Sequence, residues 1–335
     1  MKAAVLEEIG KAPKCEEFEE PEAGEGEALV RVLAASLKPV DKQLAAGTHF
    51  ASPREADLPL ICGTDGVGEL EDGRRVFFGG CRKPFGAMAE LTVAPKAFCF
   101  PLPAGMADDT AAALPNPGIS AWVSLTHRAK LARGETVLVL GATGVTGQLA
   151  VQIAKLLGAA RVVGVGRNER VLARLGDLGA DATIQMDQAP EALREAYLSE
   201  MGETRSQGLP LQTLREPGFD VILDYLWGEP TEALLAAITK SEFALTGKET
   251  RLVQVGESAG AAIKLPAAVL RSTAVTILGT AGIPPREVLF DAMREVMKRG
   301  AIGELRIETE RVALPEIESA WKHAGQAGRR TVVAP

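Results

Sequence analysis

The amino-acid sequence predicts an α/β protein: a small β-rich domain followed by a doubly wound parallel-sheet domain. Three observations predict it. Residues 1–105 carry short apolar runs punctuated by glycine and proline. From Glu135 onward, β-branched runs alternate with segments of helical periodicity. One of those runs, Thr136–Leu140, feeds directly into a glycine-rich turn and a helix.

In the first region, Lys2–Leu6, Leu29–Ala35, Val76–Phe78 and Met88–Val93 read as strands. Their short length and glycine-rich connections suit a barrel-type β domain. Ala107–Ala113 is a short helix candidate, with Asp108 and Asp109 favouring the positive end of its dipole. Pro115 and Pro117 then mark either a hinge or two helix starts, before a helix over Ile119–Ala129. Thr136–Leu140 is wholly apolar and β-branched, as a strand buried on both faces requires. Leu149, Ile153, Leu156 and Leu157 recur at helical spacing. Arg161–Val165, Phe219–Leu223 and Leu252–Val255 read as further buried strands, and Val171–Leu178 as a helix. Ala274–Gly279, Glu287–Lys298 and Thr331–Val333 predict a strand, a helix and a last strand. The polar stretch 202–218 reads as an inserted loop. The expected division is 1–114 for the β-rich domain and 115–265 for the parallel-sheet domain. Residues 266–335 form a C-terminal segment that supplies an edge strand and returns to the first domain.

Composition excludes several classes. The 335 residues suit two domains of about 150 each. A net charge of −7 argues against phosphate-backbone binding, and 4% aromatics argue against a base-stacking platform. No nucleic-acid partner is therefore expected. Cys15, Cys62, Cys81 and Cys99 form no CxxC pair or zinc-module spacing and read as reduced thiols. Glu7 and Glu8 interrupt what would be the apolar core of a signal peptide, and no run of 18 apolar residues occurs. The expected location is the cytoplasm, with no membrane contact.

The chemistry begins at Gly141-Ala142-Thr143-Gly144-Val145-Thr146-Gly147. Glycines between a strand and a helix let the backbone approach a pyrophosphate, and the helix N-terminus presents unpaired N–H groups to it. The spacing is GxxGxxG, with Thr143 in place of the middle glycine of the usual fingerprint. Gly141, Thr143, Gly144 and Val145 are thus candidate dinucleotide contacts. About 20 residues on, an NAD site carries Asp or Glu for the ribose 2′-hydroxyl. Here that region reads Gly166-Arg167-Asn168-Glu169-Arg170. Gly166 leaves room, Arg167 offers a planar fork of donors for a 2′-phosphate, and Arg170 adds a second positive charge. The expected cofactor is NADP(H).

Several segments resemble the medium-chain dehydrogenase/reductase superfamily, in its zinc-free quinone oxidoreductase branch. They are MKAAVLEEIG at the start, Ala35-Ser36-Leu37-Lys38-Pro39-Val40-Asp41, Cys62-Gly63-Thr64-Asp65-Gly66-Val67-Gly68, and Gly86-Ala87-Met88-Ala89-Glu90. Further on come Ala111–Trp122, the glycine loop with its helix, Phe219–Asp224, and Gly328–Pro335. The resemblance implies a GroES-like β-rich domain, a Rossmann domain, an active site in the cleft between them, and a homodimer. It places Ser120 and the Val255-Gly256-Glu257-Ser258 loop beside the cofactor. It also places Lys38, Gln43 and Asp65 at the substrate end, as the candidate catalytic positions.

Two departures stand out. Lys38 replaces the family's Asn before Pro-Val-Asp, and Gln43 replaces a frequent Tyr. Lys38 could give a proton or hydrogen bond to a developing enolate or quinol oxygen. Zinc-bearing relatives carry Cys in the region of Lys38 and His-Glu at Thr64-Asp65. Three ligands cannot be assembled from what stands here, so no metal is expected. His49, His127 and His323 read as ordinary residues. Ala274–Leu278 has no charge to protect an edge, which suits sheet pairing across a dimer.

The resulting expectation is an NADPH-dependent, zinc-independent reductase that passes hydride to a quinone or conjugated enone. An enoyl-thioester or 2-alkenal reductase on the same scaffold is the alternative. A non-catalytic NADPH-binding or sensing protein is the rival from another class.

Overall fold

The structure, a computed structural model, describes residues 1–49, 51–201, 218–239, 249–280, 284–323 and 326–335. All of the 202–218 loop except Gly218 lies outside the described residues. The chain divides into two compact units: Met1–Asn116 with Arg294–Pro335, and Pro117–Met293.

The first unit is β-rich. Its strands are β1 (Lys2–Leu6), β2 (Lys14–Glu17), β3 (Glu27–Ser36), β4 (Leu60–Ile61), β5 (Asp65–Leu70), β6 (Arg75–Gly79), β7 (Leu91–Pro95) and β8 (Cys99–Pro101). A short helix, α1 (Pro39–Ala45), follows β3. Strand β3 organises the unit by pairing antiparallel with both β5 and β7. Its sequence alternates: Val30, Val32 and Ala34 are buried while Arg31 is exposed. That period of two lays one face on the core, where Leu6, Phe78 and Met88 meet Val30 and Val32. The expected Met88–Val93 strand starts later, at Leu91. The Met88 backbone is already engaged, accepting from Ala4 N and donating to Cys62 O.

Helices α2 (Asp108–Ala113) and α3 (Pro115–Val123) follow, separated only by Leu114. Pro115 opens α3, where a missing N–H costs nothing, so it marks a helix start. The helix continues through a wide π-turn at Ser124–Arg128.

The second unit holds a six-stranded parallel sheet. Its strands are β9 (Thr136–Leu140), β10 (Arg161–Gly166), β11 (Ala182–Gln185), β12 (Val221–Asp224), β13 (Glu249–Gln254) and β14 (Ala274–Gly279). The order is β11-β10-β9-β12-β13-β14, so the chain reverses direction across the sheet between β9 and β12. Every residue of β9 and β12 is buried, as central strands of a doubly wound sheet require. The crossovers carry α4 (Val145–Leu156), α5 (Glu169–Leu172), α6 (Pro190–Met201), α7 (Gly228–Ile238) and α8 (Ala267–Ser272). This is the Rossmann arrangement.

The tail divides between the units. Strand β14 extends the parallel sheet by pairing with β13, so residues 266–293 stay with the second unit. After α9 (Arg286–Ala301), β15 (Glu308–Ala313) pairs parallel with β16 (Arg329–Ala334). Strand β16 then joins β3 antiparallel, at Val332–Ser36 and Val333–Ala35, which seats the end of the chain in the β-rich unit.

Candidate active site: a dinucleotide cradle and a buried charge cluster

The cradle forms where β9 ends. Gly141 has φ +87°, a left-handed conformation that L side chains rarely adopt. A Cβ on Gly147 would lie 2.2 Å from Gly141 O, so the first turn of α4 packs directly on the loop backbone. Gly144 is the N-cap of α4 and has no side chain with which to cap it. Its leading N–H groups are therefore available for an anion. The N–H groups of Gly141 and Ala142 both donate to Val165 O, tying the loop to the neighbouring strand. The cradle sits at the switch point of the sheet, beyond the carboxyl ends of the strands, where doubly wound sheets bind nucleotides.

Thr143 and Gly166 turn out to be one feature. A Cβ on Gly166 would lie 2.4 Å from Thr143 Cγ2. The room expected at Gly166 for a ligand is filled by the Thr143 side chain. Arg167 follows immediately, one residue beyond β10, and is exposed. Its carbonyl accepts from Gln185 Nε2 at 3.0 Å, and Asn168 caps α5 by accepting from Val171 N at 3.0 Å. The backbone at Arg167 is thus held from both sides while its side chain reaches solvent. Arg170, on the first turn of α5, is also exposed.

The loops after β12 and β13 close the cradle. Val255 N and Gly256 N both donate to Asp224 O, and a Cβ on Gly256 would lie 2.8 Å from Tyr225 O. Asp224 is fully buried and accepts from Leu226 N, Trp227 N and Thr231 Oγ1 at 2.9, 2.8 and 2.6 Å. It shapes the turn in which Trp227 takes a strained φ of +57°. Sequence reading placed Asp224 only within a resemblance and missed this role. Tyr225 Cβ stands against Gly141, and its buried Oη has no hydrogen-bond partner among the described residues. The open α4 N-terminus and the glycines packed close around it fit a polar ligand such as a dinucleotide. Glu257 lies on the same loop, and Ser120 is half-buried on α3.

The second feature lies within the β-rich unit. Lys38 is 1% exposed. Its Nζ donates to Ser36 O at 3.0 Å and Asp65 Oδ1 at 3.0 Å, and stands 3.3 Å from Asp41 Oδ2. Burial works against the Lys38 charge, but the Asp41 and Asp65 carboxylates overcome it and hold the ammonium above the ordinary lysine range. Burial, with the Asp41 carboxylate beside it, pushes the Asp65 carboxyl above the usual carboxylate range, while Lys38 and the Thr64 hydroxyl both donate to it and favour its ionised form. Arg330 adds a second buried cation, donating from Nη1 to Leu37 O at 3.1 Å. Nothing in the sequence motifs singled out Arg330; only the return of β16 to β3 brings it here.

Asp41 and Thr64 also line a cavity of about 310 Å³, at the small end of ligand-sized sites. Leu6, Leu44, Ile61 and Phe85 make much of its wall apolar, with Cys62 and Cys81 among them. Burial pushes the Cys62 thiol up, and lifts Cys81 to about 11. The Gln43 side chain is exposed, while its carbonyl accepts from Thr48 and Ser52. The structure therefore brings Lys38 and Asp65 together and leaves Gln43 outside their cluster.

Comparison with known proteins agrees with this architecture. A family model described as zinc-binding dehydrogenase matches residues 145–298. The solved quinone oxidoreductase of Thermus thermophilus, whose structure includes an NADPH complex, is 28% identical and aligns over 100% of both chains with a TM-score of 0.78. In sequence and fold the chain is similar to the medium-chain dehydrogenase/reductase superfamily, in its quinone oxidoreductase branch. A quinone oxidoreductase-like protein 2 homolog of Nematostella vectensis is 31% identical over 194 residues, 55% of this chain and 52% of that protein. An NADPH-dependent alkenal/one oxidoreductase of Arabidopsis thaliana is 30% identical over 181 residues, 49% of this chain and 46% of that protein. The chain thus spans about half the length of these curated relatives.

The family description mentions zinc, and the residues at the corresponding place can be tested against it. A catalytic zinc takes about three ligands drawn from Cys, His and Asp/Glu. Here the place holds an ammonium, a hydroxyl and carboxylates already committed to both. Among the described residues no cluster of three or more His, Cys, Asp and Glu could hold a metal. A divalent ion would meet the protonated Lys38 amine with Arg330 nearby, so this donor set does not fit zinc.

Proposed function

We propose that this chain is an NADPH-dependent, zinc-independent reductase acting on quinones or conjugated enones. The observation that carries the reading is the cradle: an uncapped α4 N-terminus and a left-handed Gly141 at the switch point, with Arg167 one residue past β10. Full-length similarity to a quinone oxidoreductase solved with NADPH supports it. Bound NADPH supplies a hydride, so no protein nucleophile is required. The chain's share is to hold the pyrophosphate at Gly141–Val145, the 2′-phosphate at Arg167 with Arg170, and the nicotinamide half near Ser120 and Val255–Glu257. Lys38 Nζ donates to Ser36 and Asp65 and is ion-paired with Asp41, so the proton that completes reduction comes from elsewhere, with water the simplest source. We further propose a cytoplasmic homodimer paired through β14, an edge of the described sheet.

The test is NADPH oxidation followed by its nicotinamide absorbance with a benzoquinone, an alkyl vinyl ketone and an enoyl-CoA in parallel, with and without EDTA. Turnover of the quinone or ketone, unaffected by EDTA, is the expected result. Turnover of the enoyl-CoA alone would transfer the assignment to the thioester reductases. Tight NADPH binding with no turnover of any of the three would make the chain a binding protein.

A further inference from the structure

We propose that the Lys38 ammonium is a resident internal cation that acts through the Asp41 and Asp65 carboxylates to fix Thr64 at the cavity wall. Asp41 Oδ2 accepts from Lys38 N at 2.8 Å and lies 3.3 Å from Lys38 Nζ, while Asp41 Oδ1 accepts from Thr64 N at 3.1 Å. Asp65 Oδ1 accepts from Lys38 Nζ at 3.0 Å, while Asp65 Oδ2 accepts from Thr64 Oγ1 at 3.1 Å. Each carboxylate therefore turns one oxygen to Lys38 and the other to Thr64. One bridge holds the Thr64 backbone and the other its hydroxyl.

The elements that meet here are otherwise separate in the chain. Lys38 caps α1, Thr64 precedes β5, and Arg330 arrives on β16. A buried charge is tolerated when it is paired, and the Lys38 ammonium is paired with both carboxylates. Removing the ammonium would leave like charges facing each other across Thr64. The Lys38 side chain does not itself line the cavity, whereas Asp41 and Thr64 do. Lys38 is accordingly a positioning residue that acts through the carboxylates, and this distinguishes it from a proton donor. The link to turnover rests on the reductase reading above; the charge coupling does not.

The experiment is a double-mutant cycle of Lys38→Met and Asp65→Asn, with Thr64→Val and Thr64→Ser as separate variants. Thermal unfolding is measured without substrate, and kcat and KM with a benzoquinone and NADPH. Lys38→Met should lower the unfolding temperature, and adding Asp65→Asn should restore a substantial part of that loss, as neutralising a stranded charge must. Thr64→Val should lower kcat/KM by about 10–100-fold, the scale set by losing an orienting partner around a site, with little change in unfolding temperature. Thr64→Ser, which keeps the hydroxyl, should retain most of the activity. Zinc titration should leave the wild-type unfolding temperature unchanged. Additive losses in the cycle would show that Lys38 only fills space and would overturn the proposal. So would equal defects in Thr64→Val and Thr64→Ser, or one zinc bound tightly per wild-type chain. If Lys38→Met does not fold, the Thr64 pair and the zinc titration still decide. Coupling in the cycle together with a wild type inactive on quinones would refute the reductase reading and leave the cation role standing.

Discussion

Replacing Arg167 with alanine isolates the feature on which cofactor preference rests. The surrounding backbone should not move, because the Arg167 carbonyl is held by Gln185 and the next residue, Asn168, caps α5 through its own side chain. The guanidinium is exposed, so its loss leaves no buried partner unsatisfied. A charge-assisted hydrogen bond contributes about 1.5–3 kcal/mol net, and a guanidinium can make two to one phosphate. Exposure and salt screen part of that gain, which leaves roughly 2 kcal/mol for the contact. Arg167→Ala should then weaken NADPH binding by about 30-fold while barely changing NADH binding. Arg170→Ala should show a smaller change of the same kind. Fluorescence titration of both cofactors against the three proteins reads this directly. The gap between wild type and Arg167→Ala should narrow as ionic strength rises. Wild type binding both cofactors equally, or Arg167→Ala losing both equally, would refute the reasoning.

Other expectations follow from the same geometry. Gly147→Ala places a Cβ 2.2 Å from Gly141 O, where backbone rather than a flexible side chain must yield. It should weaken NADPH and NADH alike, with an overpacking cost of about 1–3 kcal/mol visible in unfolding. Because burial raises the Cys62 thiol and lifts Cys81 to about 11, little thiolate exists at neutral pH. Maleimide labelling of these two sites, followed by mass spectrometry, should be slow near neutral pH and accelerate as the solution is made alkaline; rapid labelling at neutral pH would contradict the assigned environment. Strand β14 presents half-buried Val275, Ile277 and Leu278 at an edge of the described sheet. Light scattering at micromolar concentration should give twice the chain mass, and Ile277→Lys should give one chain mass.

The cradle was legible in the sequence because its chemistry is local. A strand, a turn and a helix occupy consecutive residues, and β9 and β14 stand where their apolar runs predict. The strands β2, β8 and β15 were not legible, since their half-exposed residues carry mixed polar and apolar character. Lys38 was visible as a departure from a motif, but its burial was not. Its partner Asp65 is 27 residues away, and the Arg330–Leu37 contact spans 293. Only the closing of β3 between β5 and β16 makes those residues neighbours. Gly166 was misjudged for a related reason: room beside a glycine is visible in sequence, but the side chain that fills it is not. Here that side chain is Thr143, which stands where the usual fingerprint has glycine.

Thr143 and Gly166 also explain why the fingerprint can depart from its standard form without losing the site. A side chain at the middle position of the loop must go somewhere, and the neighbouring strand provides a glycine at that point. Strand β10 pairs with β9 in parallel register, so Gly166 lies level with the loop that follows Leu140. The two positions are therefore one sterically coupled choice, and Gly166→Ala should damage the cradle less than Gly147→Ala, because the Thr143 side chain rather than backbone must yield. At the other unit, Lys38, Asp41, Asp65 and Thr64 are coupled in the same sense, but by charge. Packing leaves one solution of fixed shape, whereas a charge cluster can be rebuilt by neutralising both partners. The cradle should therefore tolerate few substitutions, while paired changes in the buried cluster should survive folding and be read in the kinetics.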